Sequence, residues 1–218
     1  MNRKRRELPG RYRMRKSAAV LILIAFPLSL LLAATAIAGP FEDIVKAFDR
    51  GDYETAYRIT QPLAEKGSPK AQNLLGYMYQ SGQGVEKDYG KAVTWYRKAA
   101  DQGDAEAQNN VGVMYENGYG VWQDDIEAAR WYRKAAEQGI PHAQNNLGIM
   151  YAFGKGVPQN YVLAYVWFNL AASRFPASER EGREQASGNR DLAAYNMTPA
   201  QLADAQRMAR EWTPTKVW

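Results

Sequence analysis

Apolar positions along this chain come in two kinds of cluster, and both return at a fixed offset of 36 residues. In the first kind, Ala71, Leu75, Met78 and Tyr79 fall at i, i+4, i+7 and i+8, which gathers them on one stripe of an α-helix. In the second, Ala92, Trp95, Tyr96, Ala99 and Ala100 do the same. Polar side chains fill the intervening positions, so each cluster predicts an amphipathic helix that needs a neighbour to cover it. The register holds through Gly67, Gly103 and Gly139, through Gly76, Gly112 and Gly148, and through Trp95, Trp131 and Trp167, with no gap. A period of this length decides the architecture ahead of local propensity. It predicts an all-α fold, an α/α superhelix (solenoid) of helix-hairpin repeats.

The punctuation agrees. Ser68 with Pro69, and Asp104, stand where first helices begin; Asp88, Asp124 and Asn160 stand where second helices begin. Their side-chain oxygens can accept from otherwise unpaired first-turn N–H groups. Asp124 and Glu127 have capping-box spacing. Gly67, Gly103 and Gly139 mark the ends of second helices, where a left-handed residue is favoured. Gly76, Gly112 and Gly148 lie inside helices, at a cost of about 0.5–1 kcal/mol each relative to alanine. Close approach of the paired helix explains that cost, with Trp95 and its equivalents expected over the gap. The Gly-x-Gly-Val segment at Gly82 to Val85 lacks the third glycine, the lysine and the preceding strand of a nucleotide loop. It reads as a turn that tucks its valine into the core.

These signals divide the chain into six parts. Residues 1–38 form a leader, 39–66 a degenerate helix pair with Phe41, Val45 and Phe48 on its apolar side, and 67–102, 103–138 and 139–174 three full repeats. Residues 175–218 supply capping helices and a tail: a polar helix over 177–195 weakened by Gly182 and Gly188, then a helix from Thr198. The face Leu202, Ala205, Met208, Ala209 and Trp212 of that last helix is expected to cover the open end of the stack.

The pattern Ala-Gln-Asn-x-x-Gly-x-Met-Tyr-x-x-Gly-x-Gly-Val, followed by Ala-x-x-Trp-Tyr-x-x-Ala-Ala and Gly, resembles the Sel-one-like repeat, a relative of the tetratricopeptide repeat with a longer inter-helix loop. The likeness covers residues 67 to about 173, and a tail closing on Arg210 to Trp212 is similar to those of secreted bacterial members. What the resemblance implies is a scaffold for protein–protein interaction that grips a protein or peptide partner on its concave surface, as a monomer.

Charge sharpens the picture. The formal net charge is +5, yet residues 1–38 carry eight basic side chains against Glu7 alone, which leaves 20 basic and 22 acidic groups for the rest. A nucleic-acid surface needs its positive excess on the folded face, so nucleic acid is set aside. The basic start, the apolar run from Ala18 to Ala36 and the triplet Ala36, Ile37, Ala38 read as a signal peptide cleaved before Gly39. The alternative is an uncleaved anchor and a membrane-tethered scaffold, since about 20 apolar residues can span a bilayer. With no cysteine, the exported domain has neither a disulfide framework nor a thiolate metal site, which suits the periplasm of a Gram-negative bacterium.

Catalytic machinery is not expected, nor a metal or cofactor. The only histidine, His142, follows Pro141 at a helix start and reads as a solvated surface residue; no serine sits in a nucleophile motif. Candidate partner-binding residues follow from the first-helix spacing: Asn73, Asn109 and Asn145, beside Asn110 and Asn146, with Tyr77, Val113 and Ile149 one turn on, and Gln80 and Glu116 beyond. The asparagines could hydrogen-bond an extended peptide or bridge neighbouring helices of the scaffold itself. A second functional reading, a module for cell-wall or carbohydrate fragments, would use Tyr119, Trp122 and Phe153, with Trp122 foremost.

Overall fold

The computed structural model describes residues 39–214, which form ten helices and no strand. The leader and the tail beyond Pro214 lie outside the described residues, and with them the cleavage reading. Helices α1 (Pro40–Asp49) and α2 (Tyr53–Glu65) make the first pair. Helices α3 (Pro69–Ser81) and α4 (Tyr89–Asp101), α5 (Ala105–Asn117) and α6 (Asp125–Glu137), and α7 (Pro141–Phe153) and α8 (Tyr161–Arg174) make the three repeats. Helices α9 (Arg180–Tyr195) and α10 (Pro199–Glu211) follow. From α1 to α9 each helix packs on the next in sequence, the signature of a helical solenoid.

Local chemistry sets the helix ends. Asp88 accepts from Lys91 N–H at 2.9 Å, Asp104 from Ala107 N–H at 2.8 Å and Asn160 from Leu163 N–H at 3.0 Å. Asp124 caps α6 through the N–H groups of Ile126 and Glu127, but the expected capping box does not close there. The Glu127 carboxylate turns to Arg130 instead, at 2.6 Å, because an ion pair one turn on competes with the N-cap N–H. A complete capping box does form at Thr198 and Gln201.

The interior seam is built from small residues, with Ala71, Ala92, Ala99, Ala107, Ala128, Ala135, Ala143 and Ala164 all fully buried. Across it the helices of each repeat approach closely enough that a Cβ on Gly76 would lie 2.6 Å from the Tyr96 ring. Gly112 stands likewise against Tyr132, and Gly148 against Phe168. The expectation that tryptophan covers these glycines is therefore corrected by one residue. A helix turns about 100° per residue, so the aromatic that faces the partner helix is the residue after the indole. Trp131 instead joins Ala92, Tyr96, Val111 and Met114, and Trp95 packs beside Ala64, Ala71 and Leu75, so each indole reaches back toward the preceding helix pair.

The turn valines Val85, Val121 and Val157 all pack against buried clusters. In α1 the deepest residues are Ile44 and Ala47, with Phe41, Val45 and Phe48 half-buried around them.

At the C-terminal end two helices share the cover, as expected of capping helices, with Met208 the exception. Helix α9 covers the stack, packing along α8 and reaching α7, while α10 crosses back onto α8. Leu202, Ala205, Ala209 and Trp212 join the repeat-three core, and Met208 stays 39% exposed. The close fit of α9 rests on Gly182, where the Phe175 ring would stand 2.8 Å from an added Cβ, and on the buried Ala186 and Ala193. These small residues let a polar helix lie close. Gly188 has open space around it, so Gly188→Ala is expected to raise stability by about 0.5–1 kcal/mol in a urea titration.

Candidate functional site

The first helices α3, α5 and α7 each carry one stripe that the core does not fully absorb. It runs through Lys70, Leu74, Tyr77 and Ser81 on α3, through Glu106, Asn110, Val113 and Asn117 on α5, and through His142, Asn146, Ile149 and Phe153 on α7. Tyr77 and Val113 are half-buried, Ile149 is 9% exposed, and Phe153 is 39% exposed.

The asparagines beside this stripe are structural. Asn73, Asn109 and Asn145 are 4%, 3% and 7% exposed, and their carbonyl oxygens accept from Asn110 at 3.0 Å, Asn146 at 3.3 Å and Asn189 at 3.3 Å. Each repeat thus hands an amide N–H to the one before it, and α9 supplies the last rung. Of the two roles open to these residues, bridging of neighbouring helices is the one this geometry supports.

Gln80 and Glu116 are also engaged. They accept the hydroxyl hydrogens of Tyr96 at 2.6 Å and Tyr132 at 2.7 Å, and burial pushes both phenols well above their ordinary range. In repeat three the same two positions hold Ala152 and Phe168, so the hydrogen-bonded pair has given way to an apolar one. Lys155 adds a cation 3.7 Å from Glu116.

A brace unforeseen in the sequence joins the repeats beneath the stripe. Buried Gln72, Gln108 and Gln144 donate to the Ala64, Ala100 and Ala136 carbonyls at 3.0–3.2 Å. Gln102 and Gln138 then donate to Gln72 and Gln108 at 2.7 and 2.8 Å. The 36-residue recurrence of Gln72 was the available signal. The third copy breaks the brace: Arg174 replaces the outer glutamine and lies over Trp212 at 4.3 Å, leaving Gln144 Oε1 unpartnered.

His142 is corrected too. Its Nε2 lies 2.7 Å from Glu179 Oε2, its ring meets Phe175 edge-on at 4.8 Å, and its side chain is only 17% exposed, because the connection into α9 folds over it. Glu106 sits close by, its carboxyl pushed up to about 7 by burial and by the neighbouring Asp104 and Glu179 carboxylates.

On the opposite side, second-helix cations cover the aromatics. Lys98 stands 3.9 Å over Trp95, Lys134 4.0 Å over Trp131, and Arg97 5.5 Å over Tyr115. Trp122 is 94% exposed and Ile126 62%, whereas Tyr119 stacks on Tyr89 at 4.7 Å. Among the described residues no group of three or more His, Cys, Asp or Glu could hold a metal, and no helix is long and apolar enough to cross a membrane.

Known proteins share this arrangement. The Sel1 repeat pattern matches residues 69–104, 105–140 and 141–174. A protective antigen of uropathogenic Escherichia coli strains, which displays an SLR fold, is 37% identical with a TM-score of 0.65 over 73% of this chain. The match covers 32% of that protein, so the chain spans about a third of its length. A Sel1 repeat protein from Oxalobacter formigenes is 33% identical with a TM-score of 0.65, over 78% of this chain and 67% of that one. Three matched repeats, the same stacked helix pairs and this level of identity together make the chain a member of the Sel1 repeat family.

Proposed function

We propose that this Sel1 repeat scaffold is non-catalytic and binds a protein or peptide partner along the concave face lined by its first helices. The segment 1–38 directs it to the periplasm of a Gram-negative bacterium, where it acts as a monomer.

The observation that carries this reading is the first-helix stripe. Leu74, Asn110 and Asn146, then Tyr77, Val113 and Ile149, stand at matching positions; all but the buried Ile149 are partly exposed, while the invariant Asn73, Asn109 and Asn145 beside them are consumed by the scaffold. A framework of repeated residues that holds a row of unlike ones suits recognition of an extended chain. Peptides selected by display against the protein should lose at least tenfold in affinity, about 1.4 kcal/mol, on Val113→Glu, read well below the melting temperature of the variant because Val113 also packs on the repeat-three core. Undiminished binding to that variant, with loss on Trp122→Ala, would transfer the site to the loop side.

That second reading has one observation in its favour, the 94% exposure of Trp122. A flat indole so exposed suits stacking on a sugar ring of a cell-wall fragment. N-terminal sequencing of exported protein separates a cleaved leader, starting at Gly39, from a tethered scaffold.

A further inference from the structure

The outer face of α4 holds a cavity of about 390 Å³ lined by Asp88, Gly90, Lys91, Thr94, Trp95 and Lys98. The space opens at Gly90, where an added Cβ would meet only Asp88 Oδ1, at 3.3 Å; Ile126 and Val162 stand at the matching positions of the next two repeats. Its wall is Trp95, which is partly exposed, whereas Trp131 at the same position of repeat two is 6% exposed.

In repeat three the same face carries polypeptide. Helix α10 packs on α8, and Trp212 meets Trp167, the counterpart of Trp95, edge-on at 6.1 Å. The residues that match Gly90, Lys91, Thr94 and Lys98 are there Val162, Leu163, Val166 and Leu170, which share one apolar core with Ala205 and Ala209 of α10. Repeat one keeps the tryptophan and exchanges that apolar seat for cations. Lys98 Nζ lies 3.9 Å over the Trp95 indole. Lys91 reaches Asp88 at 3.6 Å, but that carboxylate already accepts the Lys91 N–H as the cap of α4, and the two side chains are 61% and 39% exposed. Two ammonium groups and one carboxylate therefore line the cavity, a positive excess.

We propose that this face docks an acidic peptide segment of a partner protein, held in polyproline II form, with carboxylates three residues apart on Lys91 and Lys98. Two helical turns separate the lysines, which puts them on one side of α4 about 10.5 Å apart along its axis. Carboxylates three residues apart in polyproline II share one side of the peptide and stand about 9.3 Å apart, a difference that two flexible lysines absorb. The Thr94 hydroxyl donates to the Gly90 carbonyl at 2.8 Å, and its oxygen remains able to accept a peptide N–H. Residues between the carboxylates rest in the space that Gly90 leaves beside Trp95. Ion pairs so exposed contribute little singly, so recognition needs both and weakens with salt. The surface lies apart from the first-helix stripe, so it goes beyond the concave-face reading and the two stand or fall separately.

Titration of the full chain with the end-blocked peptide Glu-Pro-Pro-Glu and with its Gln-Pro-Pro-Gln counterpart, read by NMR at the Trp95 indole N–H, tests the docking directly. At low ionic strength the glutamate peptide should bind about fivefold more tightly than the glutamine one. Gly90→Ile, which fills the cavity as Ile126 does in repeat two, should abolish the response. Lys98→Gln, at an exposed position that leaves the fold intact, should bring the two peptides to equal affinity, and Val113→Glu should change neither. Equal affinities for the wild type, a glutamate-peptide response that survives Gly90→Ile, or the same shift from sodium acetate at equal carboxylate concentration overturns the proposal.

Discussion

Alanine at Gly120 is expected to destabilise the protein by about 4 kcal/mol, while alanine at Gly67 costs only about 1. Both glycines have positive φ, +69° and +94°, a conformation in which a side chain is strained. They differ in surroundings. Nothing lies within 4 Å of a Cβ added at Gly67, but at Gly120 it would run into the Tyr89 carbonyl and stand 2.7 Å from the Gly90 nitrogen. Those are backbone atoms in the first turn of α4, held by the Asp88 cap, and they cannot swing aside. The loop would have to lift, breaking the Tyr89–Tyr119 stack and drawing Val121 out of the core. Gly84 and Gly156 rest in the same way on Tyr53 and Asp125, so this contact is how each inter-helix loop grips the preceding repeat. Urea midpoints at constant slope measure the difference. Equal losses for the two variants would mean that the loop gives way freely and the grip is unimportant.

Gly112→Ala should cost about 2 kcal/mol, against the usual preference of helices for alanine. Alanine gains about 1 kcal/mol in helix propensity, but its Cβ would overlap the Tyr132 ring at 2.6 Å, an overpacking cost of about 3 kcal/mol. The ring has nowhere to go: it is fully buried, and its hydroxyl is tied to Glu116. Gly148→Ala should lose less, because Phe168 faces Ala152 and lacks that tether. A neutral Gly112→Ala variant, measured by thermal melting alongside Gly148→Ala, would show that the helix pair can part without penalty.

Much of the architecture was legible because a repeat states its geometry three times. The 36-residue offset located every first and second helix, and the aspartates and Asn160 marked the starts of the second ones. What escaped were features that depend on side-chain direction. Spacing alone does not say whether Trp95 or Tyr96 meets Gly76, since both flank the same stripe; the atoms choose Tyr96. Nor does it say that Asn109 is buried and Asn110 half-exposed, one residue apart on the same helix. How closely α9 packs was missed for a different reason. Helix α9 reads as polar, yet small residues at Gly182, Ala186 and Ala193 let it lie close to its neighbours, and closeness substitutes for hydrophobic bulk. His142 was out of reach of sequence reasoning, because Glu179 is 37 residues away in the chain and belongs to the non-repeating end.

The asparagine rungs have a bearing on how such a protein could grow. The two inner rungs span 37 residues each, and the last spans 44 to reach Asn189. A duplicated unit inserted between residues 138 and 139 would find familiar partners on either side, with the terminal piece still able to seat as before. The same unit spliced in after Arg174 would separate α9 from Asn145, which holds the last rung. Lengthening by internal duplication is therefore compatible with this chain, whereas extension at its end is not.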